Sequence, residues 1–187
     1  MYSEMSEVMW GNRARIFALG AAIEDWSRIL PHYRAVELSD RSEGPDGTVR
    51  KVATMKAWRI FPGFAGFAGV KMPVFWRTLQ YVNAERELLH FYHIGGFTRG
   101  MDVYWRFTDA AERGATRVTI THEWDLRWPF VGEAVAHRIV GDQFVDAIAR
   151  RTLRTIQGIV EDEAATAATA TGTTDTHATT GTGATGA

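Results

Sequence analysis

From Thr116 to Arg127 the chain alternates almost residue by residue between apolar and polar side chains, and that pattern constrains the fold more than any other feature. Val118, Ile120, His122, Trp124 and Leu126 fall on one face of a strand; Arg117, Thr119, Thr121, Glu123, Asp125 and Arg127 fall on the other. Side chains along a strand point alternately to its two faces, so the pattern predicts one buried face and one wet face. The buried face carries a histidine and a tryptophan among aliphatic residues. A sheet that only packed a core would favour Val, Ile and Leu there, so this face is expected to line a ligand site.

Six further segments read as strands. Residues 2–10 carry Met5, Val8 and Trp10 as apolar anchors, and residues 34–38 and 48–58 flank SEGPDG, whose Gly, Pro and Asp are turn formers. Residues 74–82, 88–94 and 99–107 follow, separated by NAER and by Gly95-Gly96. Between the first two strands, Asn12 is placed to cap a short helix, RARIFALGAAI. A second short helix, IEDWSRIL, is stopped by Pro31. After Pro129, which suits a helix start, apolar residues recur at three-to-four spacing: Val131, Val135, Ile139, Val145, Ile148, Ile156 and Ile159. A helix over 131–161 would be on the order of 45 Å long, and only a strongly curved sheet wraps such an element. From Ala164 the composition collapses to Ala, Thr and Gly, so residues 164–187 are expected to form a disordered tail after one folded domain over 1–163.

At 187 residues the chain has the length of one ordinary domain. Lys and Arg number 21 against 22 Asp and Glu, a balance that favours neither nucleic acid nor an anionic membrane as partner. With no cysteine, disulfides, thiolate catalysis and Cys-ligated metals are excluded. No stretch approaches the ~20 apolar residues of a membrane span and the N-terminus shows no signal-peptide pattern, so the expected location is the cytoplasm.

A strand, two small helices, six strands and one long helix make a specific order. It resembles the START-like, or SRPBCC, helix-grip fold, an α+β architecture in which a curved antiparallel sheet of six or seven strands grips the last helix and leaves a cavity. The resemblance spans roughly residues 3–163. AAIEDWSRILPHYRAVEL is similar to the family's entry segment, and GFTRGMDVYWRF followed by TRVTITHEW resembles paired strands of its polyketide cyclase/dehydrase branch. Aromatase/cyclase members carry Trp-x-Ser-x-Arg on a cavity-facing strand and a cavity tyrosine after the second small helix. In FWRTLQYV the resemblance puts Trp76 at the tryptophan place, Thr78 at the serine and Gln80 at the arginine, while Tyr33 in LPHYR takes the tyrosine place. Glutamine donates a hydrogen bond to a carbonyl but offers no cation to a developing enolate, which weighs against the same ring-closing chemistry. Gln80 is thus a cavity residue or a solvent-facing strand end.

Other candidates rest on the strand faces. His122 is the sharpest: a neutral imidazole on an apolar face orients a ligand hydroxyl or acts as a base, or else is a core histidine bonded to the backbone. Met101, Trp105 and Trp124 either wall a ligand or pack against the long helix. Arg99, at the mouth of its strand, greets a carboxylate or ketone, or pairs with Glu85, Glu87 or Asp102. Phe61, Phe64 and Phe67 belong to a Gly/Phe-rich connection that is either a portal lid or a satellite cluster under a loop. His32, His90, His93 and His137 read as surface or cap histidines. No HxH or HExxH spacing occurs, and neither a metal nor a cofactor is expected.

Three functions compete. The first is binding or carriage of a hydrophobic small molecule such as a polyketide, quinone or lipid. The second is a polyketide cyclase or dehydratase with Tyr33 and His122 moving protons. The third is a protein-interaction module that docks through the Phe-rich loop. An acyl carrier protein or a second copy of the chain is the candidate protein partner. The missing cation at Gln80 favours the first over the second.

Overall fold

Strand β1 (Tyr2–Trp10) forms one edge of the sheet and is met at its C-terminal end by the last helix. The computed structural model describes residues 1–61, 70–96, 98–124 and 145–172. After β1 come α1 (Arg13–Ala21), a 3-10 turn (Ile23–Asp25) and α2 (Trp26–Ile29). Then follow β2 (Tyr33–Glu43), β3 (Val49–Phe61), β4 (Val70–Asn83), β5 (Leu88–Gly96), β6 (Met101–Asp109), β7 (Ala115–Trp124) and α3 (Asp146–Gly172). The seven strands form one sheet in the order β1-β7-β6-β5-β4-β3-β2, with every neighbouring pair antiparallel. This is the curved sheet, long last helix and pair of short helices expected of a helix-grip fold.

The two short helices form where the local signals put them. Asn12 caps α1, its side-chain oxygen accepting from the Arg15 amide at 3.2 Å. Leu30, just before Pro31, is already extended and ends α2. Gly20 lets α1 lie directly on the sheet, since a Cβ there would stand 2.9 Å from Leu89 Cδ2 and 3.0 Å from Trp105 Cζ3. Together α1 and α2 carry the chain from one edge of the sheet to the other.

Curvature comes from irregular pairing. The register shifts at Ser39 of β2, between Leu38 and Asp40, and at Ile94 of β5, opposite Arg77 and Thr78, mark bulges that bend and twist their strands. At the end of β5, Gly96 has φ +80°, and a Cβ there would lie 2.4 Å from the Phe75 carbonyl oxygen. Only glycine fits so close to the backbone of the next strand.

Helix α3 buries Val145, Ala149, Leu153, Ile156 and Val160 at three-to-four spacing against the concave face of the sheet. It also covers the β1 edge. The Gln157 side-chain amide donates to the Val8 carbonyl at 3.1 Å, and the Trp10 amide donates to Glu161 at 3.2 Å. At this end of β1 those two backbone groups are not available for pairing with another chain.

Several sequence expectations shift. The sixth strand starts at Met101, and Arg99 lies in the turn before it. On β7 the supposedly wet face is only partly wet. Arg117 and Glu123 are exposed, but Thr119 and Thr121 are buried because β7 is an interior strand flanked by β1 and β6. Thr119 there shares a 2.8 Å hydrogen bond with Ser6. The helix expected over 131–161 is described from Asp146 onward; residues 131–144 lie outside the described residues, as do 125–127 of the last strand. At its other end α3 continues past Glu163 to Gly172, with residues 162–169 exposed. Alanine favours helix strongly enough for that extension to form without packing.

Candidate functional site

Inward-facing side chains of six strands, β2 to β7, meet α2 and α3 around an aromatic cavity. Trp26 on α2 touches Tyr33, Phe91 and Trp105, with ring centroids 5.3, 5.6 and 6.2 Å away. Trp76 on β4 lies 5.9 Å from Tyr33 and stacks on His93 at 6.2 Å with 18° between the planes. Val145, just before α3, and Ile148, Ala149 and Thr152 on it close the cavity.

Two polar groups of residues interrupt this lining. At one, His93 Nδ1 meets the Thr98 hydroxyl at 2.5 Å and His122 Nδ1 meets the Ser3 hydroxyl at 3.2 Å. Both rings line the cavity, and the second ring nitrogen of each has no hydrogen-bond partner among the described residues. Burial holds both imidazoles neutral, His122 pushed down to about 4 and His93 to about 3, the latter helped by His122 itself. At the other, Thr152 Oγ1 lies 3.0 Å from His32 Nε2, beside Tyr33, which also lines the cavity. Burial raises the Tyr33 phenol well above its ordinary value and, with Arg151 nearby, lowers His32 to about 4.

No Lys, Arg, Asp or Glu is among the described residues lining the cavity. Its enclosed room is small, about 60 Å³, while all atom-free space out through its mouth amounts to about 520 Å³. Pockets that swallow a drug-sized ligand enclose roughly 300–1,000 Å³. The enclosed room therefore suits a few waters or the head of a ligand. A larger molecule enters only if side chains move, and Met55 and Met101 in the wall are the unbranched residues best able to do so. A larger depression of about 650 Å³ lies beside α1, but its charged walls are already paired, Lys51 with Glu24 and Arg13 with Glu87.

Of the residues singled out in the sequence, Tyr33, Trp76, Met101, Trp105 and His122 come together on this cavity. Four others do not line it. Gln80 is fully buried, donating to the Gly20 carbonyl at 3.2 Å, with its own oxygen unpartnered; it is neither a cavity wall nor a solvent-facing end. Thr78 is buried and spends its hydroxyl on the Leu79 and Tyr92 carbonyls. Trp124 donates its indole N–H to the Arg99 carbonyl at 3.0 Å, and Arg99 itself is exposed with no carboxylate partner among the described residues. Asp102 pairs with His90 and Glu87 with Arg13 instead. Phe64 and Phe67 lie outside the described residues, as does the side chain of Phe61.

His93 is the residue that reading as a surface or cap histidine missed. Leu89, Phe91 and His93 are buried in alternation on β5, the same signal that singled out His122 on β7. Thr98 and Thr152 were missed as well. His90 does sit on the outer face, 2.7 Å from Asp102 and stacked on Tyr104, while His137 lies outside the described residues. Among the described residues no group of three or more His, Asp or Glu could hold a metal ion, and no helix is long and apolar enough to cross a membrane.

The family model for polyketide cyclase / dehydrase and lipid transport matches residues 12–151. Among solved structures, the protein TTHA0849 of Thermus thermophilus superposes with a TM-score of 0.65 at 17% identity, over 87% of this chain and 99% of its own. The ZhuI aromatase/cyclase of a Streptomyces species gives 0.65 at 15% identity, over 86% of this chain and 93% of its own. A START superfamily protein of Mycobacterium smegmatis gives 0.59 at 12% identity, over 86% and 97%. At these identities the structures speak for the fold alone. None of the curated proteins matches the chain. The family match spans both short helices, the strands around the cavity and the start of the helix that closes it: the chain belongs to the polyketide cyclase/dehydrase and lipid transport family.

Proposed function

We propose that the chain binds a hydrophobic, largely aromatic small molecule of the polyketide or quinone kind between its sheet and last helix. The observation that carries this reading is the lining itself: Trp26, Trp76, Phe91 and Trp105 form an apolar box into which two neutral histidines project. Flat rings gain from such walls through buried area and ring-edge contacts, and the few polar groups set orientation. The family description, which joins polyketide chemistry with lipid transport, and the aromatase/cyclase among the structural neighbours support the same class of ligand. Native mass spectrometry of protein purified from its own host tests it. A bound apolar compound, displaced when Trp76 is changed, is the expected result. Empty protein that also shows no tryptophan quenching with naphthoquinones, aromatic polyketides or long-chain lipids overturns it.

A second reading, catalysis on a polyketide-like substrate, draws on one observation. His122 and Tyr33 line the same cavity, and a histidine kept neutral is in the form that accepts a proton. Turnover abolished in His122→Ala with binding retained would establish it.

A further inference from the structure

We propose that the cavity selects ligands that present a neutral oxygen, a ketone or an un-ionised hydroxyl, to His93 and His122, and discriminates against the carboxylate of the same skeleton. This rests on the reading that the cavity holds a small molecule. Each imidazole has one nitrogen occupied by a protein hydroxyl, Thr98 for His93 and Ser3 for His122. The remaining nitrogen of each ring is the one left for a ligand. A neutral imidazole has one donor and one acceptor, so once the hydroxyl has chosen its side, the cavity nitrogen is left as a single donor or a single acceptor. A ketone oxygen is satisfied by one ring nitrogen in its donor form, and a hydroxyl by either form.

A carboxylate is not. A buried carboxylate requires a cation or several donors to offset its lost hydration. No described lining residue is Lys or Arg, Arg99 is exposed rather than lining, and Gln80 is turned to the Gly20 carbonyl. The nearby Lys51 is committed to Glu24 at 2.7 Å and to the Ala21 carbonyl at 3.0 Å. Charging the histidines to match an anion works against their burial, at 7% and 5% exposure, and against each other. The stacked Trp76 contributes an apolar face, not a charge.

Three probes with one ring system test this: 2-acetylnaphthalene, 2-naphthol and 2-naphthoate, titrated at pH 7 by displacement of a neutral naphthylamine dye and by calorimetry in two buffers of different ionisation heat. The ketone and the naphthol are expected to bind at least about tenfold tighter than the naphthoate, with no proton uptake. His93→Leu and Thr98→Val should each shrink that margin, weakening the ketone and the naphthol more than unsubstituted naphthalene. Thr98→Val removes only the positioning hydroxyl, so it serves if the histidine variant fails to fold. Naphthoate binding as tightly as the ketone, or binding with uptake of a proton, overturns the selection while leaving the cavity reading intact. Failure of all three and of naphthalene to bind overturns the cavity reading and the selection with it.

Discussion

Ser3 on β1 and His122 on β7 are direct register partners, and the serine hydroxyl lies 3.2 Å from His122 Nδ1. A residue at the edge of the sheet thus orients a ring that faces its interior. Changing Ser3 to Ala should loosen the imidazole without removing it. We expect ligand affinity to fall by about 1 kcal/mol, the worth of one net hydrogen bond, with little change in melting temperature. Equal affinity in Ser3→Ala and the parent chain would show that the hydroxyl does not position the ring.

Acid should destabilise the fold through the buried histidines. His93 and His122 are lowered to about 3 and about 4 in the folded chain, against 6.5 for an unperturbed histidine. Below pH 6.5 the unfolded chain takes up protons that the folded chain refuses, so stability is full above that pH and falls as the pH drops toward 4. Each fully buried histidine contributes a slope of up to about 1.4 kcal/mol per pH unit in this window. Denaturant midpoints at pH 7.5 and 5 measure it. His122→Asn should flatten the slope, and a parent chain equally stable at both values would contradict neutral burial.

Trp76 and Trp124 make opposite forecasts although both are buried on inner strand faces. Trp76 walls the cavity, so Trp76→Ala should weaken ligand binding by about 1–3 kcal/mol through lost aromatic area. Trp124 does not line the cavity and bonds the Arg99 carbonyl, so Trp124→Phe should leave affinity unchanged and lower stability by about 1 kcal/mol. Isothermal titration and melting of the two variants separate them, and a reversed pattern would place the ligand elsewhere.

Gly96 can be tested by a single methyl. With φ +80° and the Phe75 carbonyl in the way, Gly96→Ala should cost on the order of 2 kcal/mol or more in unfolding free energy. A variant as stable as the parent would mean the β4–β5 approach relaxes freely. By contrast, truncation after Glu163 should shift the melting temperature by no more than about a degree, because residues 162–169 are exposed.

Strand faces were readable in the sequence, and depth along the strand was not. Alternation correctly put Trp76, Met101, Trp105 and His122 inside, and it put Gln80 and Trp124 inside as well. Gln80 and Trp124 are register partners of Phe91 and Met101, which do line the cavity, yet Gln80 turns to the Gly20 carbonyl of α1 and Trp124 to the Arg99 carbonyl, so neither joins the lining. Period two tells which side a residue faces but carries no information about which stretch of that side the helices cover. His93 lies three residues from His90, which rules out a shared metal and gives it the look of a surface histidine, whereas the alternation of Leu89, Phe91 and His93 places it inside. The room left inside is a matter of packing volume, which no pattern of residue types records.

The central claim, a ligand held at the two histidines, is tested most directly by the ring nitrogens themselves. Long-range ¹H–¹⁵N correlation spectra of the imidazoles, recorded with and without 2-acetylnaphthalene at pH 7, report each nitrogen separately. The account predicts that the cavity-facing Nε2 resonances of His93 and His122 move on binding while His90, on the outer face of the sheet, stays still. Saturable binding that leaves both Nε2 signals unmoved, or that shifts His90 instead, would contradict it.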